Sequence, residues 1–256
     1  MVSKNVTKLV QNLEKKKFRE KYQLFKIEGE KMVEELLRSN FKTEYLFALE
    51  EWANRNKNYL DFNKLQIVTE SEMRLLSDFQ SLPGVLAVAS IPDSAHPTVD
   101  EINQELVLLL NGIQDPGNLG TIFRVADWFG IKYIICDKEC ASIYNSKAVQ
   151  ASMGAIFRVK SIYVENGAEW LSIHKNKNYR TFGTFLEGED IYKTALPERG
   201  VIIMGNEGHG ISREIETMTD TKITIPSFAN SDFHSESLNV GVATGIILSE
   251  FKRGTK

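Results

Sequence analysis

Five short apolar runs in the second half of the chain constrain its fold more than any other feature. They are "LVLLLNG" (106–112), "KYIIC" (132–136), "YRTFGTF" (179–185), "GVIIMG" (200–205) and "KITIP" (222–226). None shows the strict alternation of a strand with one wet face, and helical patterns lie between most of them. Runs of this kind belong to strands buried on both faces of a parallel sheet. In such sheets ligands bind beyond the carboxyl ends of the strands, so the residues that follow each run are the ones to weigh for chemistry.

A smaller unit precedes this pattern. Val6, Leu9, Val10 and Leu13, then Met32, Val33, Leu36 and Leu37, have helical spacing within residues 5–17 and 29–39. The runs "YLFAL" (45–49), "LQIVT" (65–69) and "VLAVAS" (85–90) are of strand length. The stretch that follows holds two of the six prolines and loses apolar periodicity, which predicts a linker over 91–104. The expected organisation is a small α/β unit over 1–90, that linker, and a larger α/β domain over 105–256. A chain of 256 residues, 42% hydrophobic, is long enough for two modest cores.

The net charge of −3 conceals an asymmetry. Residues 1–42 carry 11 Lys and Arg against 6 Asp and Glu, a net of +5, which leaves −8 for the remainder. The run "EKKKFREK" (14–21) reads either as the solvated face of a helix or as an arm that meets nucleic-acid phosphates, for which local positive charge suffices. Cys136 and Cys140 flank "DKE" with no second Cys pair nearby; a zinc site needs about four ligands, so they read as reduced thiols near a strand end. No clustered His, Cys or carboxylate set points to a metal. No apolar run approaches a membrane span and no signal-peptide pattern is present, so the expected location is cytoplasmic.

Three strand ends carry unusual chemistry. In "NGIQDPGNLGTIFRVADWFGI" (111–131), Pro116, Gly117 and Gly120 mark a turn into a helix that carries Asn118 and Arg124, with Val125, Ala126, Trp128 and Phe129 expected on its buried side. In "VIIMGNEGHGIS" (201–212), Gly205, Gly208 and Gly210 form neither a dinucleotide turn nor a nucleotide P-loop. An acid in mid-turn, Glu207, would repel a phosphate. This loop asks for a neutral or cationic ligand, or for a partner to Glu207. In "IPSFANSDFHSESLNVGVATGIILSEF" (225–251), a polar loop leads into a long apolar helix whose small residues, Gly241, Ala243, Thr244 and Gly245, permit close approach to another helix or to a ligand.

Taken in order, "NLGTIFRVADWFG", "IIMGNEGHGIS" and "IPSFANSDFHSESLNVGVATGII" resemble the three signature motifs of the SpoU (TrmH-type) RNA ribose 2′-O-methyltransferases, a family of the SPOUT superfamily. The N-terminal part, with "KKKFREKYQLFKIEGEKMVEELL", resembles the small α/β substrate-binding domain that many members carry. The resemblance implies a C-terminal domain tied into a trefoil knot, S-adenosylmethionine held in the knot, a homodimer paired through the knotted region, and an RNA substrate, rRNA or tRNA. It implies transfer of a methyl group to a ribose 2′-hydroxyl without a metal. Residue by residue, it gives Asn118, Arg124, Glu207, Ser237 and Asn239 as catalytic candidates. The backbones near Thr184, Phe185 and Leu186, with Gly205, Ile225 and Leu238, are the cofactor-binding candidates.

A guanidinium is almost never deprotonated in proteins, so Arg124 is read as binding the phosphate beside the target ribose and stabilising the developing alkoxide. The chain departs from the family pattern in a longer loop over 227–235 and in Gly241, where Ser is commoner. His209 and His234 match no family position and read as loop residues. The rival readings are a non-catalytic RNA-binding protein that retains the fold, and an α/β enzyme that binds a small molecule or a phosphate.

Overall fold

A computed structural model describes residues 1–56, 64–93, 97–176, 178–229 and 235–253. Its second half contains a six-stranded sheet formed by β5 (Leu106–Asn111), β6 (Tyr133–Asp137), β7 (Lys160–Val164), β8 (Thr181–Asp190), β9 (Gly200–Gly205) and β10 (Thr221–Thr224). The order is β10-β8-β9-β5-β6-β7, and every neighbouring pair is parallel. Both faces are covered, as the apolar runs require. Leu106, Leu108 and Leu110 pack on one side beneath α7 (Pro116–Trp128), α8 (Ser146–Ser152) and α11 (Val240–Lys252). Val107 and Leu109 pack on the other, with α6 (Val99–Asn103), α9 (Gly167–His174) and α10 (Arg213–Thr217).

The first half forms a mixed sheet, β1-β4-β2-β3, from β1 (Leu24–Glu28), β2 (Thr43–Ala48), β3 (Leu65–Ile67) and β4 (Val85–Ser90). Helices α3 (Glu30–Leu37) and α4 (Glu50–Arg55) cover one face, and α1 (Lys4–Asn12) and α5 (Glu70–Leu76) cover the other. The two units share an apolar core. Phe25 meets Tyr144 at 4.9 Å between ring centroids, Phe41 meets Phe157 at 5.1 Å, and the Gln150 amide donates to the Glu28 carbonyl at 2.7 Å. Arg158 adds ion pairs to Glu35 and Asp127.

Several expectations change. β1 has no apolar-run signature because Lys26 and Glu28 alternate with apolar residues and read as a wet face. Both are buried, paired at 3.2 Å, and Lys26 also meets Asp78 and the Leu76 carbonyl. β7 lacks the signature because it is a short edge strand with only Ile162 buried. The helix expected over 5–17 breaks after Asn12, and α2 (Lys16–Tyr22) begins anew. There Arg19 is buried and donates to the Leu13 and Glu14 carbonyls at 3.0 and 2.6 Å, so one of the arm's cations is structural. Trp128, expected on the buried side of α7, is 83% exposed. The stretch read as linker contains α6, begun by a capping box in which Thr98 and Glu101 satisfy each other's backbone N–H groups.

The contact between α7 and α8 depends on Gly120. A Cβ there would lie 2.4 Å from the Ala148 carbonyl oxygen and 2.6 Å from the Ala151 Cβ, and neither can swing away. Gly120→Ala should therefore lower stability by about 1–3 kcal/mol, as overpacking does, although alanine favours a helix by roughly 1 kcal/mol. Denaturant unfolding measures the sign: a more stable variant would contradict this packing.

Candidate functional site

The carboxyl ends of β5 and β9 lie side by side, with Asn111 opposite Gly205 in register. After β5 the chain turns at Gly112, whose φ of +74° suits glycine, and Asp115 caps α7 by accepting the Asn118 backbone N–H at 2.7 Å. Asn118 is thereby fixed in the first turn of α7. After β9, residues 206–210 close a turn in which the Asn206 and Gly210 backbones exchange hydrogen bonds of 3.0 and 2.9 Å. The Asn206 side chain holds this turn from inside, accepting from Gly208 and His209 N–H at 2.8 and 3.1 Å and donating to the Gly112 carbonyl at 2.7 Å. Asn206 is not among the residues that the sequence motifs single out; an Asn two residues before a Gly at a strand end is the signal for such a turn.

Three residues far apart in sequence meet here. The Asn118 side chain donates to Glu207 at 2.5 Å and accepts from the Asn239 amide at 2.8 Å. Asn239 is also the N-cap of α11, its Oδ1 accepting from Gly241 and Val242 N–H at 3.0 and 3.3 Å. The helix end thus dictates the amide orientation. With Oδ1 committed to the cap, the Asn239 NH₂ faces Asn118, whose own NH₂ must then face Glu207. Glu207 has found its partner, an amide rather than a ligand cation.

The other candidates stand around this chain of bonds. Arg124 lies six residues beyond Asn118, roughly 9 Å along the helix and about 120° round it from the helical rise and turn. It is exposed, and its side chain makes no hydrogen bond or ion pair among the described residues. Ser237 is exposed two residues before Asn239 and its side chain is likewise unbonded among the described residues. His209 is exposed at the turn. His234 and most of the loop over 227–235 lie outside the described residues.

The cofactor candidates also gather at the strand ends. β10 follows β8 in register up to Gly183 and resumes at Glu189, so residues 184–188 bulge out of the ladder. Thr184 ties the bulge to β9 through the Ile203 carbonyl at 3.0 Å, and Thr224 ties it to β10 through the Leu186 carbonyl at 3.0 Å. Leu186 and Leu238 are 72% and 49% exposed, Ile225 is half-buried, and Phe185 packs toward the α9 and α10 side with Lys222 over its ring at 4.9 Å. A Cβ on Gly205 would lie 2.5 Å from Gly210 C and Ile211 N. Backbone groups and apolar side chains, without a phosphate cradle among them, suit a phosphate-free ligand such as S-adenosylmethionine.

The small residues of α11 serve helix packing: a Cβ on Gly241 would reach within 2.8 Å of the Thr121 Cγ2 on α7. Among the described residues no group of three His, Cys, Asp or Glu is arranged to hold a metal. Both thiols are free and buried, and burial, first of all, pushes the Cys136 thiol well above its ordinary range.

Residues 105–249 match the model of the SpoU rRNA Methylase family, more than half of the chain. The chain belongs to that family. Residues 4–87 match a model described as an MRM3-like substrate binding domain. Among SpoU relatives, the chain is 28% identical over 238 residues to the 23S rRNA (guanosine(2553)-2′-O)-methyltransferase RlmP of Bacillus subtilis, covering 92% of this chain and 91% of that protein. It is 37% identical over 149 residues to the 23S rRNA (guanosine-2′-O-)-methyltransferase RlmB of Neisseria meningitidis, covering 58% of each. Among solved structures, a TrmH-family protein from Porphyromonas gingivalis superposes with a TM-score of 0.88 at 34% identity, over 99% of both chains. An AdoMet-bound rRNA methyltransferase from Sinorhizobium meliloti superposes with a TM-score of 0.82 at 25% identity, over 99% of this chain and 97% of that one.

Gly205→Ala should open the turn that Gly210 and Ile211 close against β9, and so cost S-adenosylmethionine affinity at least about tenfold, on the order of 1.4 kcal/mol. Calorimetric titration of folded protein measures this. Unchanged affinity would remove Gly205 from the cofactor site.

Proposed function

We propose that this chain is an S-adenosylmethionine-dependent RNA methyltransferase that acts on a ribose 2′-hydroxyl, with rRNA favoured over tRNA as substrate. The observation that carries this reading is the Asn239–Asn118–Glu207 chain of hydrogen bonds, which joins all three motifs of a SpoU-family domain at the carboxyl ends of its parallel strands. Residues 105–256 form the catalytic domain, 1–90 the RNA-binding domain, and 91–104 connect them. Thr184, Phe185, Leu186, Gly205, Ile225 and Leu238 hold the cofactor, largely through backbone. When bound, the cofactor supplies an electrophilic methyl group on a cationic sulfur.

Arg124 is the substrate-side residue. Exposed and without a competing ion pair among the described residues, it is available to bind the phosphate beside the target ribose and to stabilise the alkoxide as the hydroxyl proton leaves to solvent or phosphate. Asn118, Glu207 and Asn239 hold the turn, the glycine loop and the α11 terminus in one arrangement, and Ser237 adds a hydroxyl at its edge. The knotted, homodimeric arrangement expected for this family accounts for Trp128 and Val242, exposed at 83% and 53% on α7 and α11, which a partner subunit would cover. The reading includes a cytoplasmic enzyme. No helix among the described residues is long and apolar enough to cross a membrane.

RNA reaches the N-terminal unit at α2. Lys16, Lys17 and Lys21 are exposed there, Phe18 and Tyr22 stack at 6.3 Å, and Lys17 and Lys21 lie over those rings at 5.0 and 5.2 Å. A cavity of about 590 Å³ beside Tyr22, Gln23, Glu44 and Tyr45 adjoins this face. Cations interleaved with aromatics suit unpaired RNA.

Arg124→Ala should reduce methyl transfer by about 10²–10³-fold while S-adenosylmethionine binding stays near wild type. Full activity would remove Arg124 from the reaction, and Arg124→Lys activity that follows a lysine-like apparent pKa would make it a base instead. Replacing Lys16, Lys17 and Lys21 together by Gln should weaken RNA binding and flatten the dependence of log K on log salt by about 2, near 0.7 for each phosphate no longer neutralised. An unchanged slope would place the RNA elsewhere.

A further inference from the structure

Asp137, at the end of β6, lies outside all three motifs, yet it is buried at 5% exposure beneath the loops that carry them. Its carboxyl group is fully engaged. Oδ1 accepts the Gly112 and Glu139 backbone N–H groups at 3.1 Å each and meets the Cys140 thiol at 3.4 Å. Oδ2 accepts the Asn111 side-chain amide at 2.5 Å. The remaining Asn111 oxygen accepts the Ser212 backbone N–H at 2.6 Å, where the glycine loop enters α10. From the opposite side Asn206 donates to the Gly112 carbonyl.

These bonds clamp two segments to one buried side chain. The first is the β5 turn that delivers Asn118; the second is the loop that delivers Gly205 and Glu207. Neither Asn111 nor Asp137 touches Asn118, Glu207 or Asn239 through any hydrogen bond among the described residues. We propose that Asp137, acting through Asn111, is a positioning residue that sets the register between the Asn118 turn and the Glu207 loop for methyl transfer. This rests on the methyltransferase reading above.

The directions of the bonds give an unusually strict test. The Asn111 amide must direct its NH₂ to Asp137 and its oxygen to Ser212 N–H. In Asp137→Asn, two NH₂ groups face each other, or else the Asn111 amide flips and presents NH₂ to Ser212 N–H. In Asn111→Asp, two carboxyl groups meet. In the exchanged pair, Asn111→Asp with Asp137→Asn, every bond is restored. The new Asn oxygen accepts from Gly112 and Glu139, its NH₂ donates to the new Asp, and the far oxygen of that Asp accepts from Ser212.

The experiment compares wild type, both single variants and the exchanged pair in the full-length chain, at a temperature where circular dichroism shows all four folded. Two readouts are taken: amide hydrogen exchange at Gly112 and Ser212, and methyl transfer at saturating S-adenosylmethionine and RNA. Each single variant should lose protection at both amides and lose roughly 10- to 100-fold in kcat, the scale of a small misplacement of reacting groups. The exchanged pair should recover protection and come within a few-fold of wild-type kcat. Single variants that turn over at the wild-type rate once folded would reduce Asp137 to a stability residue and overturn the proposal. So would an exchanged pair that recovers neither readout. If a variant fails to fold, Asp137→Glu and Asn111→Ala supply the same comparison of kcat with protection. A wild-type protein that transfers no methyl group to any RNA would contradict the methyltransferase reading instead; exchange at the two amides would still report whether the clamp exists.

Discussion

The arrangement of the site rests on the amide of Asn239, which serves two masters with its two ends. Its oxygen caps α11, satisfying N–H groups that would otherwise be orphaned at the helix start. Because the cap fixes the oxygen, the NH₂ is aimed at Asn118, and the polarity passes on to Glu207 without freedom to reverse. The last helix, the first turn of α7 and the glycine loop are thus locked by two bonds. That lock brings residues 89 and 121 positions apart in sequence together, and it leaves Arg124 outside, exposed on α7 and unencumbered among the described residues.

The two units do not behave as beads on a string. The side of the N-terminal sheet that carries Phe25 packs into the core that lies beneath α7 and α8, and Gln150 and Arg158 stitch the two together with polar bonds. Cutting the chain at residue 90 would strip that apolar face from the second unit, so surface substitutions on α2 test the proposed RNA contact with less disturbance of folding than truncation does. The shared core also gives α2 a fixed relation to the strands of the six-stranded sheet.

Much of this is legible in the sequence where burial and periodicity agree. The doubly buried strands β5, β6 and β9 announce themselves as unbroken apolar runs, and the three motifs lead to Asn118, Glu207 and Asn239 without any knowledge of the fold. Sequence patterns fail where a polar side chain is buried for structural reasons. Lys26 and Glu28 hide β1, because a charge alternating with apolar residues looks solvated, and their burial is explained by their pairing with each other and by partners in the distant 76–78 segment. Asp137 is silent because the Asn111 amide and the Gly112 N–H reach it from a neighbouring strand, and no local spacing encodes them; for Asn206 the spacing to Gly208 announces the turn but not the bond to the Gly112 carbonyl. Trp128 fails in the opposite sense, an apolar residue left exposed on the outer face of α7.

The most direct test of the central claim is mass mapping of ribose methylation in total RNA from cells with and without this gene, with wild type and Arg124→Ala returned to the cells that lack it. The account predicts one 2′-O-methyl nucleotide that vanishes with the gene, returns with wild type and stays absent with Arg124→Ala. A methylation pattern identical in all four, with purified protein that binds RNA but not S-adenosylmethionine, would contradict it and leave an RNA-binding protein that keeps the fold without the reaction.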